Sequence, residues 1–309
     1  MPAHSKFQRA MAGLALLATW TLPCGADAQR TSSSSAASDW GAVETALGRK
    51  GAMQPGGVIK FGFPRSDLTV KVGAVTLAPA LALGSWVAFE RTADGKAMAM
   101  GDLVLTDAEV GPVMATLQQN GVEQSALHNH LLEESPHLMY MHIMANGDAA
   151  TIARAIRAAL AKSATPLGSP GPAAAPSAAG LDTQAIGAAL GVHGKLNGRV
   201  YQVAVPRSET INEMGVTVPP SMGVATSINF QPTTAGKAAV TGDFVLLGSE
   251  VNPVIRALRD HGIQVTALHS HLIDETPRLY FMHYWANDDA LSLAKGLRAA
   301  LDQTASKKD

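Results

Sequence analysis

The stretch "ALHNHLLEESPHLMYMHIMANGD", Ala126–Asp148, returns 141 residues later as "ALHSHLIDETPRLYFMHYWANDD", Ala267–Asp289, with 13 of 23 positions identical. The same offset carries Gly101-Asp102 onto Gly242-Asp243, Glu109-Val110 onto Glu250-Val251, Pro112 onto Pro253, and the "RAAL" at Arg157 onto the one at Arg298. Small gaps then bring Pro64-Arg65-Ser66 onto Pro206-Arg207-Ser208. Such a chain has to fold as two versions of one unit, and this repeat outranks local signals in deciding the architecture. It also shows which side chains two diverged copies both retain.

The remaining residues divide around these copies. Residues 1–28 read as a secretory signal, with Lys6 and Arg9, an apolar run from Met11 to about Pro23, and Ala26-Asp27-Ala28 before the cut. Residues 29–38 form a serine-rich leader, 39–162 the first repeat domain, 163–180 an Ala/Pro/Gly linker, 181–304 the second repeat domain and 305–309 a tail. The apolar run is shorter than the roughly 20 residues of a membrane helix, and no later segment is long and apolar enough to be one. A periplasmic or secreted protein without an integral membrane span is expected. Cys24 is the single cysteine and lies inside the signal. Pro23 replaces the small residue a lipobox needs before it, which reads against a lipid anchor.

Short apolar or alternating runs at Val58–Phe63, Ser85–Glu90 and Ala99–Leu105, bounded by glycine and proline, predict strands. Glu109–Asn120 reads as a helix closed by Gly121, Ser125–Leu132 and Leu138–Met144 as a strand pair across "EESPH", and Asp148–Lys162 as a helix with Ile152, Ile156 and Leu160 on one face. Each copy then ends strand, helix, strand, strand, helix, in part the order of a ferredoxin-like unit. The expected class is α+β: two tandem copies, each a mixed or antiparallel sheet with helices on one face.

Within this frame the histidines are concentrated. Nine follow residue 28, and seven of them fall in the two repeated segments. Side chains two apart on a strand share a face, so His128 and His130 point the same way, with Glu134 on the same parity if the strand continues. A turn centred near Pro136 would set His130 opposite His142. The second copy repeats the set as His269, His271, Glu275 and His283. With no thiol left after signal removal, imidazole and carboxylate are the ligands available, and they predict a divalent transition metal: zinc first, with iron, manganese, nickel or copper also compatible. Glu133 becomes Asp274 and His137 becomes Arg278 in the second copy, so both stay outside the expected ligand set.

Blander explanations cover the other retained residues. Asn146 and Asp148, with Asn287 and Asp289, precede a helix and suit capping. Arg65 and Arg207, and Asp102 and Asp243, suit buried ion pairs, with an alternative role in orienting a histidine or holding an anion. Of Met139, Met141 and Met144 only Met141 persists, as Met282, which favours core packing over a soft metal site. Charge excludes one partner class. Lys plus Arg total 24 against 25 Asp plus Glu, and without a basic run no nucleic-acid footprint exists.

The motif with its second version and the following "RAAL" helix resembles the LppY/LpqO-like family of bacterial secreted and lipoprotein domains of unknown function. That resemblance implies export and no particular activity. Three function classes stay open: metal or small-ligand binding without turnover, a metal-dependent enzyme of hydrolase or oxygenase type with Glu134 or Glu133 as base, and an envelope-interaction module whose histidines are merely packed. The binding sites could be two, one per hairpin, or one composite site on a pseudo-twofold axis. His-x-His, Glu, His and Asn spacing is also similar to that of cupins, but a single tight turn between Glu134 and His142 and the long helix after them do not fit a jelly roll.

Overall fold

Alternation along the strands decides the architecture. In the computed structural model, which describes residues 40–168, 175, 177 and 179–307, the first copy runs α1 (Gly41–Leu47), β1 (Ala52–Met53), β2 (Ile59–Pro64), β3 (Lys71–Val72), β4 (Val75–Thr76), α2 (Pro79–Ala82), β5 (Gly84–Arg91) and β6 (Ala97–Thr106). It continues with α3 (Asp107–Gln119), β7 (Glu123–His128), β8 (Glu134–Ser135), β9 (Leu138–Gly147) and α4 (Ala149–Leu160). The second copy runs α5 (Thr183–Leu190), β10 (Lys195–Asn197), β11 (Val200–Pro206), β12 (Asn212–Glu213), β13 (Val216–Thr217), β14 (Ala225–Pro232), β15 (Lys237–Leu246), α6 (Gly248–Asp260), β16 (Gln264–His269), β17 (Tyr280–Asp289) and α7 (Ala290–Leu301). The signal, the serine-rich leader and Cys24 lie outside the described residues. No helix among the described residues is long and apolar enough to cross a membrane.

Each copy forms a six-stranded sheet, in the orders β1-β2-β5-β6-β9-β7 and β10-β11-β14-β15-β17-β16, with every neighbouring pair antiparallel. β9 lies between β6 and β7, which makes β6–α3–β7 a split β-α-β unit, and the α+β class with helices on one face is observed in both copies. β6 is a central strand buried along nearly its whole length, as expected where both faces are covered. Its Ala97, Ala99, Leu103 and Leu105 join Met141 and Ile143 of β9 under α3 and α4. Its opposite face carries Met98, Met100, Asp102 and Val104.

That opposite face meets the other copy. One apolar cluster joins Met98 and Met100 to Val245, Leu272 and Phe281, and a second joins Val104, Leu138 and Tyr140 to Val200 and Ala239. The result is helices, sheet, sheet, helices, with the histidine-bearing face of each copy turned inward. Gln231 fastens the layers by accepting from the Ala78 N–H at 2.7 Å and donating to Thr76 O at 2.8 Å.

Most retained residues outside the hairpins hold this frame. Arg65 is fully buried and forks onto Glu109 at 2.8 and 3.1 Å, onto Asp67, and onto Val104 O at 2.7 Å. Arg207 does the same with Glu250, Glu209 and Val245 O. Glu109 and Glu250 also accept the backbone N–H of Thr106 and Leu247 at the starts of α3 and α6, at 2.8 and 2.7 Å. One buried network thus ties the end of β2 or β11 to a helix N-terminus, and the ion-pair explanation of both arginines holds. Asp148 and Asp289 cap α4 and α7 through Thr151 and Ser292 N–H, each at 2.8 Å. Asn146 and Asn287 are not caps; they lie within β9 and β17. Gly101 is retained because a Cβ there would sit 2.7 Å from Trp86 O, and Gly242 meets Ser227 in the same way.

Candidate metal centre

β7 ends at His128 and β16 at His269, both earlier than the sequence suggests. The register differs as well. Ala126 faces His142 and His128 faces Tyr140, with a bulge between Gln124 and Ala126, so His130 is not the cross-strand partner of His142. His130 instead lies in the loop beyond the strand, its carbonyl accepting from Thr266 Oγ1 of the other copy at 2.5 Å, and stacks on Tyr140 with ring centroids 3.4 Å apart. His271 stacks on Phe281 at 3.7 Å in the same manner. An aromatic platform therefore does what the expected strand continuation would have done, turning the second histidine of His-x-His back to the first.

The six imidazoles form one group across the two copies. His128 stacks on His269 at 3.6 Å, His130 on His283 at 3.8 Å and His142 on His271 at 3.7 Å. Exchanging the copies maps this set of contacts onto itself, as a pseudo-twofold axis between His128 and His269 requires. In the second copy the Nε2 atoms converge, His269 lying 3.0 Å from His271 and 3.2 Å from His283. Potential ligand atoms of His128, His269, His271 and His283 all fall within 4.8 Å of one another, as do those of His128, His130 and His142, and of His130, Asp243 and His283.

Glu134 and Glu275 do not join these groups. Glu134 Oε1 accepts the Leu138 N–H at 3.3 Å and Glu275 Oε1 the Leu279 N–H at 2.8 Å, so each carboxylate closes its own turn. The parity argument for a fourth ligand fails because the strand stops at His128 and the intervening loop resets the alternation. Glu133, like His137, stays apart from the gathered ligand atoms; His137 Nδ1 sits 2.9 Å from Asp107.

Asp102 and Asp243 belong to the site, which sequence reasoning set down mainly to ion pairing. They lie directly across the sheet from His142 and His283. His283 Nδ1 contacts the Asp243 carboxylate and lies 3.1 Å from Gly242 O. Asp102 stands 3.9 Å from His142 Nε2. The available signal was a charged residue inside an apolar ten-residue strand, kept in both copies.

Electrostatics disfavour positive charge on five of the six rings. Burial first, then the neighbouring rings, holds His130, His142 and His271 well below the ordinary histidine value, and lowers His128 to about 4 and His269 to about 3. A carbonyl or carboxylate can only accept, so Nδ1 of His128 donates to Asn129 O at 3.1 Å and Nδ1 of His283 to its partners, leaving both Nε2 lone pairs inward. The Nε2 atoms of His128, His130 and His142 and Oδ1 of Asp102 are buried with no hydrogen-bond partner. Each such atom costs on the order of 1–3 kcal/mol. Converging imidazoles, two of them held through the other ring nitrogen by a carbonyl or carboxylate, are the kind of donor set that transition metals use.

Comparison with known proteins adds a family and little else. No curated protein sequence matches the chain. Among solved structures, the trimeric bacterial microcompartment shell protein PduB matches at 14% identity over 84% of this chain and 96% of its own, with a TM-score of 0.22. EtuB from Clostridium kluyveri matches at 10% identity over 81% and 90%, also with a TM-score of 0.22. Likeness at that level carries no argument about this protein. The family described as Domain of Unknown Function (DUF1259) matches residues 41–162 and again 184–303, and the chain belongs to that family as a tandem pair of its domains.

Proposed function

We propose that the protein binds a divalent transition metal, zinc first among the candidates, in the histidine chamber between its two copies, and that it works by metal or small-ligand binding without turnover. The observation that carries this reading is the convergence of inward-facing Nε2 atoms. Contacts of 3.0 and 3.2 Å between them are close to the roughly 3.3 Å ligand edge that follows from tetrahedral zinc with zinc–nitrogen bonds of about 2.0–2.1 Å. Burial disfavours charge on His269 and His271, and a neutral imidazole is the form that ligates. Binding is preferred to catalysis because, of the candidate bases, Glu134 is engaged with the Leu138 backbone, as its counterpart Glu275 is with Leu279, and Glu133 stays apart from the gathered ligand atoms.

Elemental analysis of the full chain, purified without chelators and again after reloading, tests the proposal. Stoichiometric metal is expected in the wild type, and less in His130→Ala and His271→Ala. A wild type that holds none after reloading overturns it. Export to the periplasm or medium, which the N-terminal signal and the LppY/LpqO-like resemblance support, is part of the same reading. Fractionation of the producing cells, with an N-terminal sequence starting at Gln29, checks it.

A further inference from the structure

The six rings are ordered more finely than a single ion needs. Within the first copy, His128 lies 5.1 Å from both His130 and His142, centroid to centroid, and the planes differ by only 19° and 18°. Within the second, the corresponding separations are 5.0, 4.9 and 5.7 Å, at 28°, 31° and 30°. Each copy therefore contributes a shallow rosette of three imidazoles. The rosettes lie one over the other, every ring of one stacked 3.6–3.8 Å from a ring of its partner. Three imidazoles around a common centre form the protein half of an open metal site. Two such layers at this spacing match the roughly 3.5–4 Å between ions in paired-metal centres.

Resting on the metal-binding reading above, we propose that the chamber holds two divalent ions, one per rosette, as a dinuclear centre. Asp243 holds His283 through Nδ1 and also lies near His130 of the other rosette, potential ligand atoms of all three within 4.8 Å, so it orients the two layers together. His128 and His269, paired on the pseudo-twofold, serve one ion each. Charge then names the class of exogenous ligand. Two divalent ions bring four positive charges, ligating imidazoles bring none, and Asp102 and Asp243 supply at most two negative ones. The residual charge is met by an oxyanion or hydroxide spanning the pair, so the centre is a receptor for small oxyanions such as phosphate.

The test is titration of metal-free full-length protein with Co(II), read by calorimetry and elemental analysis, and with Mn(II), read by electron paramagnetic resonance. Two equivalents with an exchange-coupled Mn(II) signal are expected in the wild type. His142→Ala and His271→Ala should each retain one equivalent and lose the coupling, and inorganic phosphate should perturb the visible spectrum of the two-Co(II) form. A wild type that saturates at one equivalent, or that binds two uncoupled ions, overturns the dinuclear proposal while leaving metal binding intact. A spectrum indifferent to phosphate overturns the oxyanion assignment. Total failure to bind overturns the underlying reading. Wild-type stoichiometry and coupling decide the matter even if a variant does not fold.

Discussion

The two rosettes contain the same three histidines, yet their surroundings have diverged. In the second copy, His283 is fixed through Nδ1 by Asp243 and Gly242 O, its Nε2 lies 3.2 Å from that of His269, and the turn carboxylate Glu275 is paired with Arg278 at 3.2 Å. In the first, all three Nε2 atoms lack partners, Asp102 stands 3.9 Å off, and Glu134 keeps one oxygen unsatisfied. The electrostatics split accordingly. Burial and the facing Asp243 push Asp102 well above the ordinary carboxylate range, whereas His283 draws Asp243 below it against the effect of burial. Duplication has kept the ligands and relaxed what orients them, and orientation of ligands is worth about 10–100-fold in metal affinity. On the proposed metal-binding reading, the second copy is thus the tighter half.

Four measurements break or sharpen this contrast. The largest effect should be symmetric: removing Arg65 or Arg207 leaves a buried carboxylate unpaired, and Arg65→Ala and Arg207→Ala should each cost about 3–5 kcal/mol in denaturant unfolding. Strongly unequal costs would place the divergence in the frame as well as in the site. Next, His283→Ala should weaken the first equivalent of metal by more than about 100-fold, beyond the range for orienting residues, while His142→Ala leaves it nearly unchanged in isothermal titration. Equal losses would erase the distinction between the halves. Asp243→Asn should cost about 10–100-fold in the same titration and Asp102→Asn less than that.

The smallest effect is a pH dependence carried by Glu134 of the first copy. Burial raises Glu134 to about 7, so between the unfolded value near 4.3 and 7 the folded state binds more protons than the unfolded chain. Stability from this group is complete below about pH 4 and is lost as pH climbs through 7. Glu134→Gln should therefore match the wild type at pH 4 and become the more stable of the two by pH 7 to 8, in chemical denaturation of metal-free protein. Parallel curves at every pH would mean that Glu134 titrates in the folded protein as it does in the unfolded chain.

The repeat, the strand alternation and the capped helices were legible because they depend on short periods and on comparison within the chain. The expectation that His128 and His142 share one face of the sheet is met, but parity gave only part of it. It failed for His130 and Glu134, since nothing local in "HNHLLEESPH" says that β7 stops at His128 or that a bulge after Gln124 shifts the register. The inter-copy stacking was open only as an alternative, because it depends on how two sheets pack, and apolar faces of this kind specify contact more strongly than orientation. Asp102 and Asp243 were visible and undervalued. A carboxylate in the middle of a central strand needs a partner, and that partner lies across the sheet rather than along the sequence.

The pairing of His128 with His269 also bears on how the centre responds to dilution. Were the halves separate polypeptides, completing it would be a second-order event, and the fraction assembled would fall as protein became scarce. Joined in one chain, the halves meet at a fixed effective concentration, in the millimolar range for short flexible tethers. The complete centre then persists however thinly the protein is spread.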